Sequence, residues 1–179
     1  SSRFGEELEL LTQKIYQLSE KKFNINSPKQ LSEILFDELN LKQIRKRSTA
    51  VEVLEVLKNY HPLPSEVLKY RHLSKLKNTY VDAIPEHIHK LTGRVHTTLN
   101  QTITSTGRLS CTAPNFQNIP IRTEMGREVR KAFVAQNKQS VILSADYSQV
   151  ELRIMAHYSK EPALIKAFED DIDIHRRTA

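Results

Sequence analysis

Residues 91–110, LTGRVHTTLNQTITSTGRLS, decide the kind of fold this chain can have. The stretch is rich in β-branched threonine, alternates apolar with polar positions and contains the triplet Thr-Gly-Arg twice, at 92–94 and 106–108. Such a pattern predicts strands joined by turns at Gly93 and Gly107, because branched side chains suit a pleated surface and glycine supplies the turn. Everything ahead of Pro85 has a different period. The change of period predicts an α+β chain, mostly helical, with a boundary near residue 85.

Working outward toward the N-terminus, Phe4, Leu8, Leu11, Ile15 and Leu18 recur at helical spacing and predict one amphipathic helix ending near Lys22. Ser27-Pro28-Lys29-Gln30 reads as a capping box, with serine at the N-cap, proline at the first helical position and glutamine two further on. Thr49-Ala50-Val51-Glu52 reads the same way ahead of Val53 and Leu54. His61-Pro62-Leu63-Pro64 turns the chain into a longer helix from Ser65 to about Val81. On that helix Leu73, Leu76 and Tyr80 share one face, and Arg71, Lys75 and Asn78 share another. A cationic face of this kind is solvated or grips phosphate.

Toward the C-terminus, TAPNFQNIPIRT is a polar connection punctuated by proline, followed by a short basic helix from Arg127 to Phe133. Val141-Ile142-Leu143 predicts a buried strand that delivers Asp146, with a helix from about Gln149 to Tyr158 behind it. An aspartate just past a strand end is well placed for chemistry, since the strand fixes the backbone while the side chain faces a crevice. It could equally be the N-cap of the next helix. Asp146 and Glu151 could meet across the turn, although spacing does not bring both to one metal. In EDDIDIH, Asp170 and Asp171 read as solvated and Asp173 as the cap of a helix starting at Ile174.

The bulk properties agree with a folded, soluble chain whose positive charge is either a merely basic surface or a sign that a polyanion is the first partner to consider. Its 179 residues are 39% hydrophobic and 27% charged, with a net charge of +6. A single cysteine, Cys111, excludes an internal disulfide framework and fits a reducing compartment. The first residues, SSRFGEELEL, carry no signal-peptide pattern, and no apolar run is long enough to span a bilayer, so the expected location is cytoplasmic. Between Thr104 and Arg122, the side chains Arg108, Asn115, Gln117, Asn118 and Arg122 fall in loop or extended segments. Arginine, asparagine and glutamine there can donate to the acceptors that the minor groove presents with little regard to sequence.

The motifs TITSTGRLSCTAPNFQNIPIR at 102–122, DYSQVELRIMAH at 146–157 and DIHRRTA at 173–179, together with FNINSPKQLSEILF and YRHLSKLKNTYVDAIP in the helical half, closely resemble those of the family A DNA polymerases. The resemblance covers essentially the whole chain, in order and in spacing. It implies a right-hand polymerase in which residues 1–84 form a helical thumb and residues 85–170 part of a mixed α/β palm with an antiparallel sheet. Residues 171–179 would begin the fingers.

The implied chemistry is attack of a primer 3′-hydroxyl on the α-phosphate of a deoxynucleoside triphosphate, assisted by two Mg2+ ions. Asp146 matches the first metal-binding aspartate and the Tyr147 carbonyl a backbone metal ligand. Ser148, Gln149, Glu151 and His175 match nucleotide-binding positions, with Glu151 similar to the glutamate that crowds the ribose 2′ position and rejects ribonucleotides. Lys75, Lys77, Thr104, Arg108, Ser110, Asn115, Gln117, Asn118 and Arg122 match contacts to primer-template DNA, Arg108 being similar to an arginine that reads the minor groove at the primer terminus.

The chain departs from the family at Cys111, where serine is usual, at Ala113, which replaces an acidic residue, and at Phe116, which replaces leucine. The loop LKQIRKRS at 41–48 is shorter than usual. The family's second catalytic carboxylate and its arginine-lysine fingers helix lie downstream of Ala179. The chain is therefore expected to be a piece of a longer polymerase, inactive alone, not holding its metals stably, and prone to self-association through an exposed sheet edge. Two other readings are a non-catalytic duplex-binding module, with weak and steeply salt-dependent binding, and a nuclease built on Asp146 and the 170–173 cluster.

Overall fold

The computed structural model describes residues 2–121, 123–170 and 172. By their internal contacts these fall into two compact units, Ser1–Phe133 and Val134–Ala179.

In the first unit, helix α1 (Ser2–Ser19) places Ile15 in the core and leaves the other members of its stripe partly covered. Helix α2 (Pro28–Glu33) starts where the capping signal puts it, with the Ser27 hydroxyl accepting the Gln30 amide at 3.4 Å. The reciprocal half of the box is redirected: the Gln30 side chain accepts the Asn24 amide at 2.7 Å, while Ser27's own N–H donates to the Asn24 carbonyl at 2.9 Å. The helix continues as a π-helical turn, Ile34–Glu38. Helix α3 (Val51–Leu57) is capped by Ala50 and not by the expected Thr49. Thr49 is occupied elsewhere, its carbonyl accepting an Arg71 N–H at 2.6 Å. A cation from another helix outcompetes the local cap.

Helix α4 (Pro62–Leu76) begins three residues before the expected Ser65, because the His61 ring accepts the Leu63 amide at 3.2 Å and Pro62 occupies the first turn. It runs into a second π-helical segment, Lys77–Asp82, and then the short helix α5 (Ala83–Glu86). The main core gathers Ile15, Leu31, Leu35, Leu54, Leu57 and Leu63 from four helices and their connections, each essentially sealed from solvent. Burying a side chain of this size contributes about 2 kcal/mol. Within this core Glu66 is enclosed, its Oε1 accepting from Lys14 and Lys69, each at 3.0 Å.

The strand-like segment forms two antiparallel hairpins. Strand β1 (Ile88–His89) pairs with β2 (Arg94–Val95), with Ile88 opposite Val95, and β3 (Thr98–Asn100) pairs with β4 (Ser110–Thr112), with Leu99 opposite Cys111. Gly93 and Gly107 both have φ in the left-handed region, +63° and +73°, as the turn reading requires. Helix α6 (Glu124–Lys131) is capped by the Thr123 hydroxyl, which accepts the Gly126 amide at 3.1 Å. A second apolar cluster joins Val129 of α6 to Leu76 and Tyr80. The chain is thus α+β, helices dominating and the sheets small.

In the second unit, helices α7 (Val150–Ser159) and α8 (Pro162–Glu169) pack together through Ala156 and Ala167, both buried. The buried strand expected at Val141–Leu143 does not form. These residues are 87%, 64% and 86% exposed and lie outside every ladder among the described residues. An apolar triplet is a strand only when a second strand satisfies its backbone, and none pairs with this one.

Candidate functional site

The segment from Thr97 to Ile121 is held by its own polar atoms before anything else touches it. The Thr97 hydroxyl stands 2.8 Å from Cys111 Sγ, where either group can donate, 2.8 Å from the Pro114 carbonyl oxygen and 3.0 Å from that of Thr112. The Phe116 amide donates to the same sulfur at 3.4 Å. Together with the Gln117 amide these bonds, Thr97's foremost, lower the Cys111 pKa against the opposing effect of burial. The thiol is the hub of this network, accepting the Phe116 amide and lying 3.5 Å from the Pro114 carbonyl oxygen. Ala113, at φ +55°, takes the left-handed turn conformation at the foot of this loop.

From this base the loop presents exposed side chains. The Thr104 hydroxyl donates to the Arg108 carbonyl across the Gly107 turn, and Arg108 itself is exposed. Asn115 accepts the Gln117 amide at 3.0 Å, and the Gln117 side-chain nitrogen donates to the Leu109 carbonyl at 3.0 Å. Asn115, Gln117 and Asn118 are exposed on a backbone that is pinned from behind. The Phe116 ring meets Phe133 edge-on at 5.3 Å, Arg130 donates to the Ile119 carbonyl at 3.4 Å, and the Tyr80 hydroxyl donates to the Asn118 carbonyl. Gly126 lies so close to Pro120 that a Cβ there would stand 2.6 Å from the proline Cβ. Ser110 contrasts with the others, since its Oγ is enclosed without a hydrogen-bond partner among the described residues.

The helical side of this unit supplies fewer outward cations than its sequence suggests. Lys75 is exposed, but Lys77 Nζ pairs with Asp82 at 2.5 Å and Arg71 is turned inward to Thr49. Burial pushes the Arg71 guanidinium pKa down, which leaves it a cation at any ordinary pH. Lys75, Lys77, Thr104, Arg108, Ser110, Asn115, Gln117 and Asn118 all fall in the first unit. Arg122 and His175 lie outside the described residues, as do Asp171 and Asp173.

The second unit carries Asp146, Tyr147, Ser148, Gln149 and Glu151. Asp146 is not the cap of α7: Gln149 holds that place in the left-handed conformation, φ 52° and ψ 39°. The carboxylate of Asp146 is exposed and available to a ligand. Arg153 braces the turn by donating from Nε to the Ser148 carbonyl at 3.0 Å, its guanidinium lying 4.5 Å from the centre of the Phe168 ring. The Gln149 Oε1 is enclosed and without a partner among the described residues. A carboxylate and a neighbouring main-chain carbonyl are hard oxygen donors of the type magnesium takes. Among the described residues no three acidic, histidine or cysteine side chains gather into a complete metal site. The donors present fit part of a magnesium shell.

Sequence reasoning missed Tyr80 and Arg153, which bond the backbone of Asn118 and Ser148, and Gly126 and Arg130, which meet Pro120 and Ile119 beside them. In sequence Tyr80 shows only as one member of an apolar face.

The model of DNA polymerase family A matches residues 1–179, and the chain belongs to that family. It is 47% identical over 178 residues to DNA polymerase I of Geobacillus stearothermophilus, covering 97% of this chain and 20% of that protein. It is 46% identical over 185 residues to the thermostable DNA polymerase I of Thermus aquaticus, covering 100% of this chain and 22% of that protein. A solved structure described as the POL domain of Pol1 from M. smegmatis, in complex with DNA primer-template and dNTP, superposes with a TM-score of 0.84 at 42% identity, over 97% of this chain and 31% of that one. The chain spans about a fifth of the length of these curated relatives.

Proposed function

We propose that this chain is the thumb and part of the palm of a DNA-directed DNA polymerase, binding primer-template duplex and supplying one of the carboxylates for deoxynucleotide addition to a primer 3′-hydroxyl. The observation that carries the reading is the pinned loop at 115–121, with exposed Asn115, Gln117 and Asn118 in the same unit as Arg108 and Lys75. Amide and guanidinium donors on a fixed backbone suit the minor-groove acceptors common to every base pair, and so sequence-independent binding. The family membership and the primer-template and dNTP in the related complex point the same way.

In this reading residues 1–84 are thumb, 85–170 palm and 171–179 the start of the fingers. Thr104, Arg108, Asn115, Gln117, Asn118 and Arg122 contact the duplex near the primer terminus and Lys75 its backbone, whereas the Ser110 hydroxyl is enclosed and Lys77 is paired with Asp82. Asp146 and the Tyr147 carbonyl would hold Mg2+, which when bound lowers the pKa of the attacking hydroxyl and offsets charge on the leaving pyrophosphate. Glu151 excludes a ribose 2′-hydroxyl, and Ser148, Gln149 and His175 orient the triphosphate. Arg153 keeps the Ser148 carbonyl fixed, so that the Asp146 turn need not reorganise when nucleotide enters.

The test is primer extension and primer-template binding by the full-length polymerase carrying Asp146→Ala or Arg108→Ala. Loss of extension with binding retained for the first, and weakened binding for the second, is the expected pattern. Extension that survives Asp146→Ala overturns the catalytic assignment, and unchanged binding by Arg108→Ala overturns the interface.

A further inference from the structure

We propose that Tyr80 is a positioning residue for minor-groove recognition, its hydroxyl holding the loop that carries Asn115, Gln117 and Asn118. The inference rests on the duplex-binding reading above and adds to it a residue that touches no DNA. Tyr80 is 5% exposed, and a tyrosine so buried must place its O–H on an acceptor. The partner it finds is not on its own helix but 38 residues away, at the Asn118 carbonyl. Burial raises the phenol's pKa, so it remains a protonated donor throughout the neutral range.

The helix carrying Tyr80 is widened where the contact is made. Lys77–Asp82 is π-helical, a local form that inserts a residue into the turn and often marks functional sites. The Tyr80 ring packs with Leu76 and Val129, so its hydroxyl is delivered from a rigid apolar base. On the receiving side the bonds at Ile119 are long, its amide reaching the Phe116 carbonyl at 3.4 Å and Arg130 reaching its carbonyl at 3.4 Å, whereas Gln117 is held by bonds of 3.0 Å. The phenol is thus the buried anchor of the residue next to both. Groove donors must be held to within about 0.5 Å to be selective, so a loosened loop still meets the duplex but reads it less sharply.

The test uses the full-length polymerase, as wild type and as Tyr80→Phe, with fluorescence anisotropy on primer-templates whose terminal base pairs carry guanine or 3-deazaguanine, which lacks the minor-groove N3 acceptor. Phenylalanine fills the same space and removes only the hydroxyl. Comparing two duplexes on one protein cancels any difference in the folded fraction. The wild type is expected to lose roughly fivefold in affinity for the deaza duplex, the worth of about one net hydrogen bond. Tyr80→Phe is expected to bind the natural duplex more weakly and to show a deaza penalty close to onefold. A full fivefold penalty in Tyr80→Phe overturns the positioning role while leaving the duplex-binding reading intact. No deaza penalty in the wild type overturns minor-groove reading itself, and the role of Tyr80 with it.

Discussion

The two units put their apolar side chains to opposite uses. Residues 2–133 seal leucines and isoleucines from five or more segments into a core and anchor a loop from behind. Among the described residues from 134 to 172 the buried apolar side chains are two alanines, Ala156 and Ala167, while Val141, Leu143 and Tyr158 stand more than four-fifths exposed. The first unit carries the frame for its candidate binding groups within itself. The second presents its candidate metal ligand on a turn braced chiefly by one arginine, with an apolar run beside it that its own residues do not cover. The candidate binding groups and the candidate metal ligand thus stand on scaffolds of unequal self-sufficiency.

The largest effect should fall in the less self-sufficient unit. Asp146→Ala in the full-length polymerase should lower the extension rate by roughly 10^3-fold or more, as loss of several kcal/mol of metal-dependent stabilisation requires. Its primer-template affinity should stay within about twofold, and single-turnover extension beside an anisotropy titration checks both. Stability should respond the other way round. Leu54→Ala, at a fully sealed position, should cost about 2–5 kcal/mol by urea unfolding, whereas Leu143→Ala, 86% exposed, should stay within about 0.5 kcal/mol. Equal costs would erase the contrast.

Gly126→Ala sharpens it further, since a methyl forced against Pro120 should destabilise by about 1–3 kcal/mol, while Gly5→Ala, with nothing within 4 Å of the new Cβ, should stabilise α1 by up to about 1 kcal/mol. Thermal unfolding of the two variants decides. The smallest effect is in pH dependence. Burial alone would raise the Glu66 pKa, but hydrogen bonds from Lys14 and Lys69 reverse the balance and lower it below 4.5. A carboxylate with a depressed folded-state pKa contributes stability above its unfolded value and loses it as pH falls through the folded one. Urea midpoints should therefore decline below about pH 4.5 and decline less in Glu66→Gln.

Much of the fold was legible because its signals are local. The Ser27 cap, the 3.6-residue stripe of α1 and the glycine turns at 93 and 107 are each set by a few neighbouring residues, and each stands where expected. What was not legible depends on groups distant in sequence. Thr49 lost its cap to Arg71, 22 residues on, and Val141–Leu143 has strand composition without a partner strand. Of the site, the exposed donors could be read from residue type and from the family motifs. The anchors behind them could not, because a buried tyrosine in an apolar stripe gives no sign in sequence of where its hydroxyl will go.

The inward turn of Arg71 and the pairing of Lys77 with Asp82 also bear on how duplex DNA would feel this helix. Of the three cations at 71, 75 and 77, Lys75 is the exposed one without an acidic partner among the described residues. Each phosphate neutralised releases about 0.9 of a condensed counterion, so this helix would displace roughly one ion from B-form DNA and not about three. A basic stretch would then act at a single point, leaving grip to depend more on the shape of the groove than on the ions around it.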